Sequence, residues 1–245
     1  IRDIGVTEVQ TCALPIYLAS LPVQRLSAIV NQVAFPAFAR IQNDRQKLAS
    51  HFLLAVRMLS FAAFPVLWGL SSVAPELVAL LLGEKWHAAS LPLQLLALVM
   101  PLHMLAPFLN TAAQGIGRAD IALKQVLLAA LVMPIAFAAG SQWGLVGLSL
   151  AWVVAFPVVL WWGLVIFLPV IGLRVTDVLC AIARPALAAS GMYIAVFLVR
   201  GLLDPTAHLM VQVATLVLAG ALAYGALAMV LNRAGCREAV DLMRG

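Results

Sequence analysis

The sequence alternates long apolar stretches with short polar turns. Seven apolar stretches lie near 17–39, 52–74, 89–113, 121–140, 143–169, 178–201 and 206–231. In a helix, about 20 such residues cross a hydrocarbon core roughly 30 Å thick. Each stretch is predicted to be a helix, because lipid offers the backbone no hydrogen-bond partner and the residues do not alternate as in a membrane barrel. The predicted fold class is all-α: a polytopic transmembrane helical bundle with about seven spanning helices.

The composition excludes a water-soluble fold. The chain is 64% hydrophobic and 10% charged, with a mean hydropathy of +1.05, whereas soluble domains are about half apolar and a quarter charged. The net charge of +5 raises the alternative of nucleic-acid binding, but no basic patch is interleaved with aromatic residues. We therefore expect membrane lipids around the protein and no nucleic-acid partner.

The first sixteen residues differ in character from the rest. Residues 6–16 read VTEVQTCALPI, which resembles the conceptual translation of a sequencing-library adapter and differs from it at Glu8. We expect residues 1–16 to be a non-native artefact and residues 17–245 to be a fragment of a longer protein. The alternative is a genuine polar N-terminal segment.

Basic residues separate between the two sides of the predicted bundle. If the spans alternate in direction, eleven of the fifteen lysines and arginines fall on one side. They are Arg40, Arg45, Lys47, Arg57, Arg118, Lys124, Arg174, Arg184, Arg233, Arg237 and Arg244. Only Lys85 and Arg200 fall on the other side, where Glu76, Glu84, Lys85 and His87 are expected to form an outer loop. The positive-inside rule then predicts a cytoplasmic C-terminus, with Arg57, Lys124 and Arg184 snorkelling to the headgroups.

Arg25 is the one charge predicted to lie deep within a span. It is roughly 12 Å from the outer end of its helix at 1.5 Å per residue, where a charge costs about 2.5–3.5 kcal/mol on insertion scales. Gln32 follows seven residues later and shares its helical face. Arg25 and Gln32 are therefore predicted to bind an anionic substrate headgroup such as a pyrophosphate. Alternatively, Arg25 pairs with a carboxylate or carbonyl elsewhere in the protein.

A second polar stripe lies in the third span. His103, Pro107, Asn110 and Gln114 follow one another at helical spacing. His103, Asn110 and Gln114 are candidates to line a cavity, and a mid-membrane histidine can relay protons. The alternative is a neutral histidine that packs within the bundle.

The sequence carries no pattern typical of catalysis or of cofactor binding. It has no nucleophile elbow, no carboxylate dyad and no His-Glu zinc motif, and its three cysteines lack metal or disulfide spacing. We expect no catalytic residue, no metal and no cofactor, and we predict that the protein is not an enzyme.

Several segments resemble a known transporter family. They are LPVQRLS, the span ending FPAFARIQ before a basic turn, APELVALLLGEKW and the turn GIGRAD. Residues 17–167 resemble the oligosaccharide flippase (polysaccharide transporter) family, a branch of the multidrug/oligosaccharidyl-lipid/polysaccharide exporter superfamily. Family members have two lobes and move undecaprenyl-pyrophosphate-linked sugars between leaflets of the bacterial inner membrane, for exopolysaccharide or O-antigen biosynthesis.

The resemblance implies that this chain is the C-terminal half of such a flippase. It would form one lobe of two, and the N-terminal lobe of the same protein would complete the cavity for a lipid-linked oligosaccharide. A drug/ion antiporter of the same superfamily is an alternative, although these spans lack the buried carboxylate that would favour it. A non-transporting membrane subunit is another alternative. A membrane enzyme would need a large outer loop, and no loop here is long enough.

Overall fold

The computed structural model describes residues 36–203 and 208–231, and within them the chain is almost entirely helical. The α-helices are α1 (Arg45–Ser72), α2 (Ala74–Leu82), α3 (Ser90–His103), α4 (Leu105–Gly115), α5 (Ala119–Gly140), α6 (Gly144–Phe167), α7 (Val175–Leu202) and α8 (Leu209–Leu231). Short 3₁₀ turns occur at Glu84–Ala89, Ser141–Trp143 and Leu168–Ile171. A helical stretch at 36–41 precedes α1.

Five segments of the described chain are long and apolar enough to cross a membrane. One of them, Ala119–Ile171, is 53 residues long and contains both α5 and α6. The multi-pass helical architecture predicted from the sequence is therefore confirmed. The stretch predicted near 17–39 lies mostly outside the described residues, so the number of seven spans stays a prediction.

Helices α5 and α6 form an antiparallel hairpin. The rings of Phe137 and Trp152 are 5.7 Å apart, and the hairpin turns at Gly144, whose φ of +64° suits glycine. Gly147 lies against the Gly140 backbone so closely that a Cβ at either position would collide with the other. The small residue at 147 therefore permits the close approach of the two helices.

The first long helix begins before the apolar stretch predicted at 52–74. Asp44 caps it, because its Oδ1 accepts a hydrogen bond from the Lys47 N–H at 3.1 Å. That backbone hydrogen bond is the main reason that the pKa of Asp44 is lowered from its usual value. The cap adds an exposed polar turn to the helix on the basic side of the bundle.

The segment after α1, expected to be an outer loop, is largely helical. α2 occupies Ala74–Leu82 and starts with Pro75 in its first turn, where a proline is tolerated because that N–H has no helical partner. The apolar run between Leu77 and Leu82 then continues the helix. The sequence interpretation was wrong here because it assigned the segment by its position between spans.

The third predicted span is broken into α3 and α4 at Met104. Pro107 lacks the N–H that would bond the His103 carbonyl, and its ring crowds that carbonyl. Proline is a regular cause of such breaks. The polar stripe predicted from His103 to Gln114 therefore crosses a one-residue interruption at Met104, whose backbone keeps helical angles, and the segment Lys85–Gly115 remains a single candidate span.

The helices pack in a defined spatial order. α5 packs on α6, α6 on α3, α3 on α1, α1 on α7, and α7 on α8. Side chains tie α1 to α3 and to α8: Trp68 Nε1 donates to the Leu98 carbonyl at 3.0 Å, and Tyr224 of α8 donates to the Phe61 carbonyl at 2.9 Å. α1 is therefore the central helix of the described bundle.

Four phenylalanine rings join separate segments at one end of the bundle. Phe52 lies 5.3 Å from Phe108 and 5.3 Å from Phe167, and Phe38 lies 5.8 Å from Phe108, between ring centroids. All four side chains are nearly fully buried. Each is close in sequence to a basic turn, so the cluster brings those turns to one end, which we call the basic end.

The outer faces of the bundle are apolar. On α5, Leu123, Leu127 and Leu131 are each about 60% exposed. Comparable large apolar side chains are exposed along α6, α7 and α8. An apolar surface of this extent suits contact with lipid and would be unstable in water.

Replacing Gly147 with alanine should destabilise the α5–α6 hairpin. The added methyl group collides with the Gly140 backbone, and we expect a loss of about 1–3 kcal/mol, as for other overpacked sites. Gly225→Ala is the matched control, because a Cβ there meets nothing within 4 Å and alanine favours a helix. Thermal unfolding in detergent measures both variants, and equal midpoints would contradict the close approach.

Candidate functional site

The two residues predicted to bind substrate, Arg25 and Gln32, lie outside the described residues. Their roles stay predictions. The end of their predicted span is described: Phe38 is 3% exposed and contacts Phe52 and Phe108 in the aromatic cluster. The described segment 36–41 is therefore anchored to α1 and α4 at the basic end.

His103 lies against aromatic rings of α6. Its ring centroid is 4.4 Å from that of Phe156 and 5.1 Å from that of Trp152. Its Nδ1 is buried and has no hydrogen-bond partner among the described residues. The structure thus places His103 in an aromatic contact between α3 and α6, and its predicted cavity-lining role remains a proposal.

Asn110 and Gln114 occupy different environments on α4. The Asn110 Oδ1 is buried and unpartnered within the described chain, whereas Gln114 is exposed. The break at Met104 separates both from His103. The three candidates therefore do not share one environment.

Gln125 is a polar residue that the sequence reading missed. It is 3% exposed, and neither end of its amide has a partner among the described residues. A Cβ at Gly163 would lie 2.7 Å from its Cδ and 2.9 Å from Leu109 Cδ2, so Gln125 sits where α4, α5 and α6 meet. The sequence does carry a sign of this site, since Gln125 is an amide one residue after Lys124 within an apolar run. It was overlooked because Lys124 was interpreted as marking the end of the span.

A half-buried ion pair lies at the end of the bundle opposite the basic end. The Arg200 Nη2 donates to Glu76 Oε2 at 2.8 Å and to the Ser72 carbonyl. The Arg200 Nε lies 2.7 Å from Glu76 Oε1 but outside hydrogen-bonding geometry. The side chains are 31% and 14% exposed. The pair links the last turn of α7 to the junction of α1 and α2.

Both members of the pair suit their own helices. Arg200 is in the last turn of α7, and Glu76 is in the first turn of α2. Each charge is opposite in sign to the helix dipole at that end and is therefore stabilised by it. The sequence reading placed both residues on this side but did not pair them, because they are 124 positions apart.

An apolar groove of about 640 Å³ runs between α1, α7 and α8. Its walls are almost wholly aliphatic and include Val66, Leu70, Val196 and Leu216. A groove of this character suits a hydrocarbon chain better than a polar headgroup. No group of three or more histidine, cysteine, aspartate or glutamate side chains that could hold a metal ion occurs in the part of the chain that the structure describes.

Residues 11–91 match the family described as Polysaccharide biosynthesis protein. The teichuronic acid biosynthesis protein TuaB of Bacillus subtilis is 32% identical over 229 residues, which are 91% of this chain and 47% of that protein. The lipopolysaccharide biosynthesis protein WzxC of Escherichia coli is 34% identical over 54% of this chain and 27% of its own length. The succinoglycan biosynthesis transport protein ExoT of Rhizobium meliloti is 27% identical over 46% of this chain and 24% of its own length.

Among solved structures, the lipid II flippase MurJ in an inward closed conformation has a similar fold. The TM-score is 0.75 at 18% identity, over 92% of this chain and 47% of that one. At this identity the likeness shows the fold alone. The chain spans about half or less of the length of the proteins it matches.

The family resemblance seen in the sequence is confirmed by these comparisons. The relatives carry names of polysaccharide biosynthesis and transport, and the helical fold is similar to that of MurJ. The chain is therefore similar to these proteins over most of its length, and its fold is that of a multi-pass helical membrane protein.

We predict that His103→Phe preserves thermal stability. A phenyl ring keeps the contacts to Trp152 and Phe156 and removes a buried nitrogen that has no partner in the described chain. His103→Ala, by contrast, loses the ring contacts and should cost about 1–3 kcal/mol. Unfolding midpoints in detergent and polymer output in cells are the measurements. A stable His103→Phe protein that makes no polymer would instead favour the proton relay.

The Arg200–Glu76 pair should show strong coupling in a double-mutant cycle. Arg200→Gln or Glu76→Gln leaves a shielded charge unpaired. We expect each variant to lower the free energy of unfolding by about 1–3 kcal/mol, which lies between the values typical of exposed and of fully buried ion pairs. The double variant should lose less than the two single losses added together. Arg118→Gln with Asp120→Gln is the control, because that pair is 46% exposed on both sides. If the losses of the two single variants at Arg200 and Glu76 simply add up in the double variant, the two side chains do not interact as described.

Proposed function

On the premise that the chain is related to polysaccharide-biosynthesis membrane proteins, we propose that the whole protein is a lipid-linked oligosaccharide flippase. It moves undecaprenyl-pyrophosphate-linked oligosaccharide across the bacterial inner membrane by alternating access. The product serves exopolysaccharide or O-antigen biosynthesis. This chain forms one lobe, and an N-terminal lobe of the same protein completes the central cavity.

One observation carries the proposal: the alignment with TuaB extends over 91% of this chain at 32% identity. A match of this extent covers most of the predicted spans and of the turns between them. The apolar surfaces on α5 to α8 add physical support, because a flippase must keep a lipid tail in the bilayer while the headgroup crosses.

The headgroup is the part of the substrate that needs protein chemistry. A pyrophosphate carries charge that the hydrocarbon core cannot solvate. We propose that Arg25 neutralises it in the cavity between the lobes, since a guanidinium can bind phosphate oxygens in a bidentate manner. Gln32 donates further hydrogen bonds from the same helical face, and His103, Asn110 and Gln114 are further candidates to line the passage.

The proposed orientation places the basic end and the C-terminus in the cytoplasm. Arg45, Lys47, Arg118 and Arg174 all lie in or beside turns on the side of the phenylalanine cluster. This separation follows the positive-inside rule. Translocation breaks no bond of the substrate, so the protein works as a transporter and not as an enzyme.

Replacing Arg25 with alanine in the full-length protein should abolish complementation of a strain defective in exopolysaccharide. Arg25→Lys should keep part of the activity, because lysine retains the charge but loses the bidentate contact. Arg118→Ala is a matched control, since Arg118 is an exposed residue in a basic turn. Polymer output is compared at equal protein levels, and normal output from Arg25→Ala would refute the role of Arg25.

A further inference from the structure

A cleft of about 350 Å³ opens between α1 and α7 at the basic end. It is separate from the apolar groove, which lies between α1, α7 and α8. The residues lining the cleft are Leu53 and Arg57 from α1, with Asp177, Cys180, Ala181, Ala183 and Arg184 from α7. Two helices that are distant in sequence thus each contribute one arginine to the same cleft.

The charges of the cleft favour an anion. Its lining contains two arginines and one carboxylate, so the formal balance is positive. Asp177 Oδ2 also accepts a hydrogen bond from the Arg174 N–H at 2.8 Å, where α7 begins. Arg174 itself is exposed beside that helix end and adds to the positive potential at the mouth.

The depth of the two arginines matches a lipid headgroup. Arg57 comes twelve residues after the start of α1, and Arg184 nine residues after the start of α7, which is roughly 18 Å and 14 Å along the helices at 1.5 Å per residue. The first turns of α1 are exposed and polar and include Lys47 and His51. Both arginines therefore follow the polar end of the bundle by a few helical turns, and their long side chains can snorkel toward a phosphate.

Exposed apolar side chains of α1 and α7, which we call the apolar rim, lie close in sequence to the residues that line the cleft. Leu187, which follows Arg184 by one helical turn, is 61% exposed, and Leu54 beside Leu53 is 39% exposed. Leu179, next to Cys180, is 48% exposed. Acyl chains can contact these side chains while a phosphate contacts the arginines, and basic pockets between helices on the cytoplasmic side are known to hold anionic headgroups.

We propose that this cleft binds the phosphate headgroup of an anionic phospholipid of the surrounding membrane. Arg57 and Arg184 contact the phosphate from two sides, and the acyl chains lie along the apolar rim. The site is distinct from the pathway proposed for the transported headgroup and would hold α7 against α1 from the lipid side.

Native mass spectrometry of the full-length protein in detergent tests this site, with phosphatidylglycerol and phosphatidylcholine as probes. The unchanged protein should bind phosphatidylglycerol more tightly. Arg57→Gln with Arg184→Gln should raise the Kd for phosphatidylglycerol by at least roughly tenfold, since each basic residue near an anionic headgroup contributes about fivefold. Affinity for phosphatidylcholine should stay unchanged.

Arg45→Gln with Arg118→Gln is the matched control, because both residues are exposed. It removes the same charge from the same end, but neither residue lines the cleft. We expect its Kd for phosphatidylglycerol to change much less than that of the cleft variant. An equal loss of phosphatidylglycerol affinity in both variants would mean that the lipid is attracted to the basic surface in general, and it would overturn the proposal. An unchanged Kd in the cleft variant would overturn it as well.

Two further experiments distinguish a lipid phosphate from a free phosphate and allow for a double variant that does not fold. Inorganic phosphate at millimolar concentration should not displace the lipid, and displacement would mean a site for a free anion. If the double variant does not fold, Arg184→Gln alone is used, because Arg184 is exposed. It should still weaken phosphatidylglycerol binding severalfold, and Arg184→Lys should restore most of it; a folded Arg184→Gln with full affinity refutes the site.

Discussion

The phenylalanine cluster at the basic end is the contact on which the arrangement of the bundle depends. Between helices in lipid there is little hydrophobic driving force, so association rests on close packing and on contacts such as stacked rings. Phe52 of α1 contacts both Phe108 of α4 and Phe167 of α6. These contacts bring the ends of three helices to one level, and the basic turns that follow or precede them come to the same side of the molecule.

The opposite end is joined by charge instead of aromatic rings. Arg200 reaches from α7 to Glu76 and to the Ser72 carbonyl, where α1 ends. This ion pair holds the end of α7 beside the end of α1, and two recesses open along the contact between these helices. The one at the basic end contains arginines, while the one nearer Arg200 is aliphatic. Polar and apolar parts of a lipid would therefore find different surfaces on the same helix pair.

Much of the fold could be predicted, because in lipid the length and polarity of a segment decide whether it spans. The helices α5 to α8 match their predicted stretches within a few residues. The candidate site was harder to predict. The stripe from His103 to Gln114 assumed a continuous helix, and Pro107 breaks it at Met104. Gln125 and the Arg200–Glu76 pair were missed, because their significance depends on neighbours from distant parts of the chain.

The sequence by itself determined that this is a multi-pass helical membrane protein related to polysaccharide transporters, and it separated the basic turns from the rest. These properties are local, since each span or turn carries them in its own residues. Only the tertiary structure decided that His103 faces aromatic rings, that Arg200 meets Glu76, and that Arg57 and Arg184 share a cleft. Helical periodicity assigns residues to a face of one helix, but the choice of the helix that covers that face is made by packing across the whole bundle.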